Sequence, residues 1–232
     1  MGNRAVITTK ERELALYLHW NGGRDTVEPL LRYCEFQGYR PPSADIYGWA
    51  RMAQVMGNFF GGALSVGIDL FKHLRDQGDN GVYVIDGWKV VEHIGFDYDS
   101  DYNVVGWREI GPAGELPESL VKDMLRSFDA AMPEELRLGD FLDAVEVPVS
   151  EVELGDEVWM RSCGERWEAH LVVGFGQPAH NRIAVYIDRP DGRRDIAYPD
   201  LPYVANYDHD GDFSWNPNNY VHGDIARIRP RA

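Results

Sequence analysis

Cysteine is scarce in this 232-residue chain, with only Cys34 and Cys163. Two thiols fit a reducing compartment better than a disulfide framework. No window approaches the roughly 18 apolar residues of a membrane-spanning helix. The start, Met1-Gly2-Asn3-Arg4, lacks the apolar core of a secretory signal, and position 6 is not the Ser or Thr of a myristoylation signal. The expectation is a cytoplasmic protein with no membrane contact. Basic residues are few, 23 Lys and Arg against 38 Asp and Glu, for a net charge of −15. That balance repels nucleic acid and attracts basic surfaces.

Catalytic and metal motifs are missing as well. The chain has no phosphate-binding glycine motif, no Gly-x-Ser-x-Gly elbow and no His-Glu-x-x-His run. His180, His209 and His222 have no Cys or His partner at zinc spacing. Asp208, Asp210 and Asp212 resemble the opening of a calcium loop, but the glycine falls at position 4 and position 12 is not Glu. Cys163 and His170 lie seven residues apart on successive expected strands, without the helix that usually activates a nucleophilic cysteine. No cofactor, metal or catalytic residue is expected.

What is present suits a folded α+β chain. Hydrophobic residues make up 44%, enough for one large or two small cores. Residues 4–9 and 14–20 read as strands. In the second, Leu14, Leu16, Leu18 and Trp20 share the core face, and Ala15, Tyr17 and His19 the other. Asp25 and Glu28 form an Asp-x-x-Glu capping box, and Val27, Leu30, Leu31 and Cys34 follow at helical spacing until Gly38 ends the helix. Pro29 is expected in the first turn. Ser43 caps a second helix packed through Ile46, Trp49, Ala50, Ala53 and Phe60, with close approach at Gly57 and a stop at Gly61-Gly62. Strands follow at 63–68 and around an Asp86-Gly87 hairpin, expected as a type I′ turn. Residues 1–95 thus form a β-β-α-α-β-β-β domain, an antiparallel sheet with two helices on one face.

The runs LYLHWNGGRD, YGWARMAQVMGNFFGG and GDNGVYVIDGW, in that order, resemble a family of uncharacterised proteins from phages and other mobile elements of Gram-positive bacteria. The resemblance covers residues 3–95. It implies no established chemistry, but it does imply a role in conflict with host defence.

Residues 96–147 read as an acidic helical segment. Carboxylates and aromatics alternate over 96–102, and Leu120, Val121, Met124, Leu125 and Phe128 make one helical stripe between Pro117 and Pro133, with a short second helix over 134–146. Residues 148–232 hold strands at 157–161, 167–175, 182–188, 195–198 and 225–229, expected to form a small SH3-like barrel with a Pro190-Asp191-Gly192 turn. A loop over 199–223 interrupts it.

The charge is unevenly placed. Residues 69–157 hold 22 acidic and 7 basic side chains, a net of −15, while the flanking thirds are close to neutral. This is either a solubilising face or a partner surface. In the second case Asp97, Asp99 and Asp101 stand in for phosphates, with Glu115, Glu118 and Asp123 behind them, and the partner is a host protein with a basic nucleic-acid-binding groove. The function expected is then a non-catalytic DNA mimic, an anti-defence inhibitor of anti-restriction or anti-CRISPR type. The alternative is an enzyme or small-ligand-binding protein with a polar site at His19, Asn21, Arg24 and Asp25, where strand gives way to helix. Those four also fit a plain turn and cap. Tyr203, Tyr207, Trp215 and Tyr220 either line a recognition groove or close one end of the barrel.

Overall fold

The computed structural model describes residues 3–43, 46–62, 65–74, 79–101, 103–110, 114–162, 167–175, 185–188, 194–197, 203–204 and 225–231. The chain divides into two compact units, residues 1–134 and 135–232. The boundary expected after residue 95 falls inside a strand of the first unit.

That unit is a six-stranded sheet with helices. Its strands are β1 (Ala5–Thr9), β2 (Leu14–Leu18), β3 (Val66–Leu70), β4 (Val82–Asp86), β5 (Lys89–Tyr98) and β6 (Val104–Glu109), in the order β3-β2-β1-β4-β5-β6. The sheet is mixed, not antiparallel, because β1 and β4 run parallel with Val6 beside Val82. Strand β2 already occupies one side of β1, so the chain returns to its other side by a crossover, and a crossover delivers a parallel neighbour. All five residues of β1 are buried, as expected of a central strand covered on both faces. One face carries Val6, Ala15, Val82, Val84, Ile94 and Phe96, with Tyr17, Phe71 and Leu74 packed on it; Phe71 and Leu74 bound the one-turn helix α3 (Phe71–Leu74). The other carries Ile7, Leu16, Leu18 and Ile85, all fully buried. Each such side chain contributes about 1.5–3 kcal/mol relative to exposure. Trp20 is not core. The chain leaves β2 at Leu18, and the ring is 44% exposed.

Among the described residues the unit has three further helices, α1 (Arg24–Phe36), α2 (Ile46–Phe59) and α4 (Glu118–Ala131). The stripe Val27, Leu30, Leu31 and Cys34 is buried as expected. Burial pushes the Cys34 thiol pKa up, so it stays an unreactive thiol. Gly38 ends α1 at φ +61°, its N–H bonding Glu35 O and that of Tyr39 bonding Cys34 O, the Schellman pair. Gly61 and Gly62 close α2 the same way. Two details of α1 differ from expectation: Gly23 is the N-cap, with no side-chain cap bond, and Pro29 is the sixth helical residue, not part of the first turn. In α2 the packed face is Gly48, Trp49, Met52, Val55 and Met56, while Ile46 and Ala50 are exposed. The close approach is at Gly48, where a Cβ would meet the backbone of Arg40, Pro41 and Pro42; at Gly57 it would meet nothing within 4 Å. In the β4–β5 hairpin Asp86 pairs with Lys89, and only Gly87 of the two central residues has positive φ (+61°), so the turn has the signature of type II′ instead of I′.

The acidic middle segment is not a separate helical region. Residues 104–109 form β6, and α4 packs on α1 and α2 through fully buried Phe128, whose ring centroid lies 4.9 Å from that of Phe59 and 5.9 Å from that of Tyr33. Tyr33 Oη donates to Asp129 Oδ1 at 2.8 Å and accepts from Gln37 Nε2 at 2.9 Å.

The second unit holds β7 (Val145–Pro148), β8 (Glu157–Ser162), β9 (Glu168–Phe175), β10 (Val185–Asp188), β11 (Arg194–Ala197), β12 (Tyr203–Val204) and β13 (Ile225–Ile228). Two 3-10 turns, Glu134–Leu136 and Gly139–Asp143, replace the expected short helix. The sheet runs β11-β10-β9-β8-β13-β7, with β12 beside β8. Among the described residues it does not close into a barrel, because the four-residue end strands β7 and β11 each pair on one side only. Val152, Val158, Met160, Val172, Ala226 and Ile228 form its core. The Arg231 guanidinium grips the buried Asp156 carboxylate with bonds of 2.9 and 2.8 Å and holds its pKa below the usual range. The turn at 190–192 lies outside the described residues. Among the described residues no helix is long and apolar enough to cross a membrane.

Candidate functional site

The β2–α1 connection is built from residues that only a tight turn explains. Asn21 takes φ +56°, and Gly22 lies so close to β1 that a Cβ there would come within 2.6 Å of Ala5 Cβ. The Gly22 N–H donates to Asn3 O at 2.7 Å, and Tyr83 Oη donates to Gly22 O at 3.1 Å. This pins the start of α1 to the face of the sheet that carries Tyr83. His19 belongs elsewhere. Its Nδ1 is 2.7 Å from Tyr17 Oη, and its ring meets that of Trp20 edge-on at 4.9 Å. Tyr17 pairs with Val6 while Tyr83 pairs with the adjacent Ile7, so the two tyrosines stand on opposite faces.

The expected gathering of four polar residues therefore separates. Arg24 Nε donates to Glu28 Oε1 at 2.5 Å and its Nη1 to Gly114 O at 3.1 Å. Asp25 is an exposed first-turn residue and makes no cap. Asn21 shapes the turn.

Sequence reasoning missed the residues that do meet near Arg24. His93 stacks on Tyr83 with ring centroids 4.1 Å apart and planes 11° off parallel, and its Nε2 donates to Asn80 O at 2.6 Å. Burial, the largest influence, lowers the His93 pKa, and Asn80 pulls the other way. The imidazole is thus a neutral donor committed to a carbonyl. Tyr83 is kept protonated by burial. Each polar group here is taken up by a separate acceptor, Gly22 O for Tyr83, Asn80 O for His93, and Glu28 and Gly114 O for Arg24, so the Tyr83 and His93 rings stack without forming a nucleophile and base. The β4–β5 hairpin signal could have paired Tyr83 with His93, but not told which face α1 covers.

The acidic positions have distinct roles. Asp97 on β5 pairs with Arg108 on β6. Asp99 closes the β5–β6 hairpin: its Oδ1 accepts the N–H groups of Asp101 (2.9 Å) and Asn103 (2.8 Å), and those Asn103 bonds hold its pKa below the ordinary carboxylate range. Asp101 is exposed at the hairpin tip, and Glu109, Glu115 and Asp123 are exposed beyond it. On β6, Val105 is 64% and Trp107 53% exposed, and the Arg12 guanidinium lies 4.2 Å from the Trp107 ring centroid.

In the second unit Tyr203 lies on β12, opposite Arg161 of β8. Tyr207 and Trp215 lie outside the described residues, as do Cys163, His180, His209, His222 and the Asp208–Asp210–Asp212 run. Phe141 stacks on Trp167 (4.1 Å, 8°) and meets Trp159 edge-on (5.9 Å), a cluster the sequence pattern did not announce. Among the described residues no group of His, Cys, Asp or Glu could hold a metal ion. No family model, no curated protein and no solved structure matches this chain.

Proposed function

We propose that this protein is a non-catalytic acidic binding protein of a mobile element, which occupies a basic, nucleic-acid-binding surface of a host protein in the manner of an anti-defence inhibitor. The observation that carries the reading is the confinement of the whole −15 charge to residues 69–157. Exposed carboxylates at Asp101, Glu109, Glu115 and Asp123 support it. The separation of His19 from Arg24, and the committed donors of His93 and Arg24, favour binding over catalysis. The C-terminal unit, taken as an SH3-like fold in the cytoplasm of the host, offers Tyr203, Tyr207 and Trp215 as further contacts.

The test is a pull-down from host lysate followed by association rates over a salt series. Rates should fall steeply as ionic strength passes physiological values, because exposed charges are screened over about 8 Å there. Asp97 and Asp99 are poor probes, since their carboxylates hold Arg108 and the hairpin turn. Changing Asp101, Glu115 and Asp123 to Asn, Gln and Asn should slow association more than it speeds dissociation. A salt-independent rate removes the mimic.

A further inference from the structure

We propose that the outer edge of β6 is the docking strand for that partner: an extended protein segment with Lys or Arg at alternate positions adds itself to the sheet there. The inference rests on the acidic-partner reading and says how the contact is made. Among the described residues no strand pairs with β6 beyond β5. The parity of its backbone is set by one bond, Ile110 N–H to His93 O at 2.7 Å. Since Ile110 faces β5, Arg108 and Gly106 face it too, and the N–H and C=O groups of Trp107 and Glu109 point away from the sheet. An open edge of this kind is a template for another strand unless Lys, Pro, a bulge or a covering element blunts it. This edge has neither Lys nor Pro, and its one register irregularity lies at the hairpin end, before Gly106.

The side chains say what kind of strand fits. Trp107 and Glu109 share one face by the two-residue period. Arg12 already lies over the Trp107 ring, yet half the side chain stays open to a second cation. Glu109 stands two residues on to pair with the next cation, and Asp101 adds negative charge at the hairpin end. Main-chain bonds supply affinity in such pairings and alternate side chains supply specificity. A second copy of this chain, itself at −15, is the wrong occupant. The register shift between Asp97 and Tyr98 disturbs the ladder near Val105, which leaves 106–110 as the straight docking length.

The probe is an acetylated, amidated eight-residue peptide alternating Arg and Val, titrated into the full-length protein at low salt. Two further versions are N-methylated at odd or at even residues. The expected result is protection from hydrogen exchange at the Trp107 and Glu109 amides, with Gly106 and Arg108 unchanged. One N-methylated version should bind like the parent and the other about tenfold or more weaker, the loss expected from removing one or two main-chain bonds. Trp107→Ala should weaken the parent several-fold by the cation–aromatic contact alone. If both N-methylated peptides match the parent, edge pairing is overturned while the acidic-surface reading stands. If the parent does not bind even at low salt, both fall. Concentration-dependent protection of Trp107 and Glu109 without peptide would assign the edge to a second copy and overturn the proposal.

Discussion

Replacing Tyr33 with Phe is the sharpest probe of whether α4 is a working layer of the first unit. The ring is fully buried between α1 and α4, so the variant keeps its apolar contacts with Phe128 and removes one oxygen. That oxygen donates to the buried Asp129 carboxylate and accepts from Gln37. A hydrogen bond to a charged group contributes about 1.5–3 kcal/mol and a neutral one about 0.5–1.5 kcal/mol, so the loss should total about 2–4.5 kcal/mol. Asp129→Asn keeps an acceptor for the hydroxyl and should cost less. The readout is native-state hydrogen exchange of the α1 and α4 amides, which reports opening of this unit without assuming that the whole chain unfolds in one step. Both helices should lose protection together. A change below about 0.5 kcal/mol, within the range of ordinary surface substitutions, would mean the hydroxyl does not hold α4 in place.

Two more outcomes follow from the same unit. Gly57→Ala should raise stability by about 0.5–1 kcal/mol through helix propensity, whereas Gly48→Ala should lower it by more than that gain, because its Cβ would meet the Pro41–Pro42 backbone; thermal unfolding of the pair checks the opposite signs. Burial raises the pKa of Tyr33, Tyr83 and Cys34, so the folded chain keeps protons that the unfolded chain releases. Their contribution is complete below the unfolded values, about 8.5 for Cys and 10 for Tyr, and falls above them by up to about 1.4 kcal/mol per group per pH unit. Urea midpoints between pH 8 and 11 should therefore drop, less steeply in Tyr33→Phe; a flat profile would contradict the burial of these groups.

Much of the local structure was legible in the residues themselves. Gly38 and Gly61-Gly62 announce helix ends because a left-handed residue is needed there and glycine adopts it without strain. The α1 stripe and the central β1 and β2 strands follow from helical and two-residue spacing, which depends only on near neighbours along the chain. Cys34 could be placed in the core, and so judged unreactive, by the same spacing. What tertiary structure decided is everything that depends on a distant partner. The parallel β1–β4 pairing arises because β2 already fills the other side of β1. Residues 104–109 became a strand because β5 runs beyond residue 95 and offers an edge. Gly48, not Gly57, became the tight contact because Pro41-Pro42 folds back on it. Asp97 and Asp99 read as free charge until Arg108 and the hairpin turn took them up. His19 and Arg24, five residues apart, went to opposite faces because α1 covers only one side of the sheet. His93 met Tyr83 only through strand register. Short-range spacing is written in a few consecutive side chains; pairing and facing are set by which surfaces remain uncovered once the rest of the chain has packed.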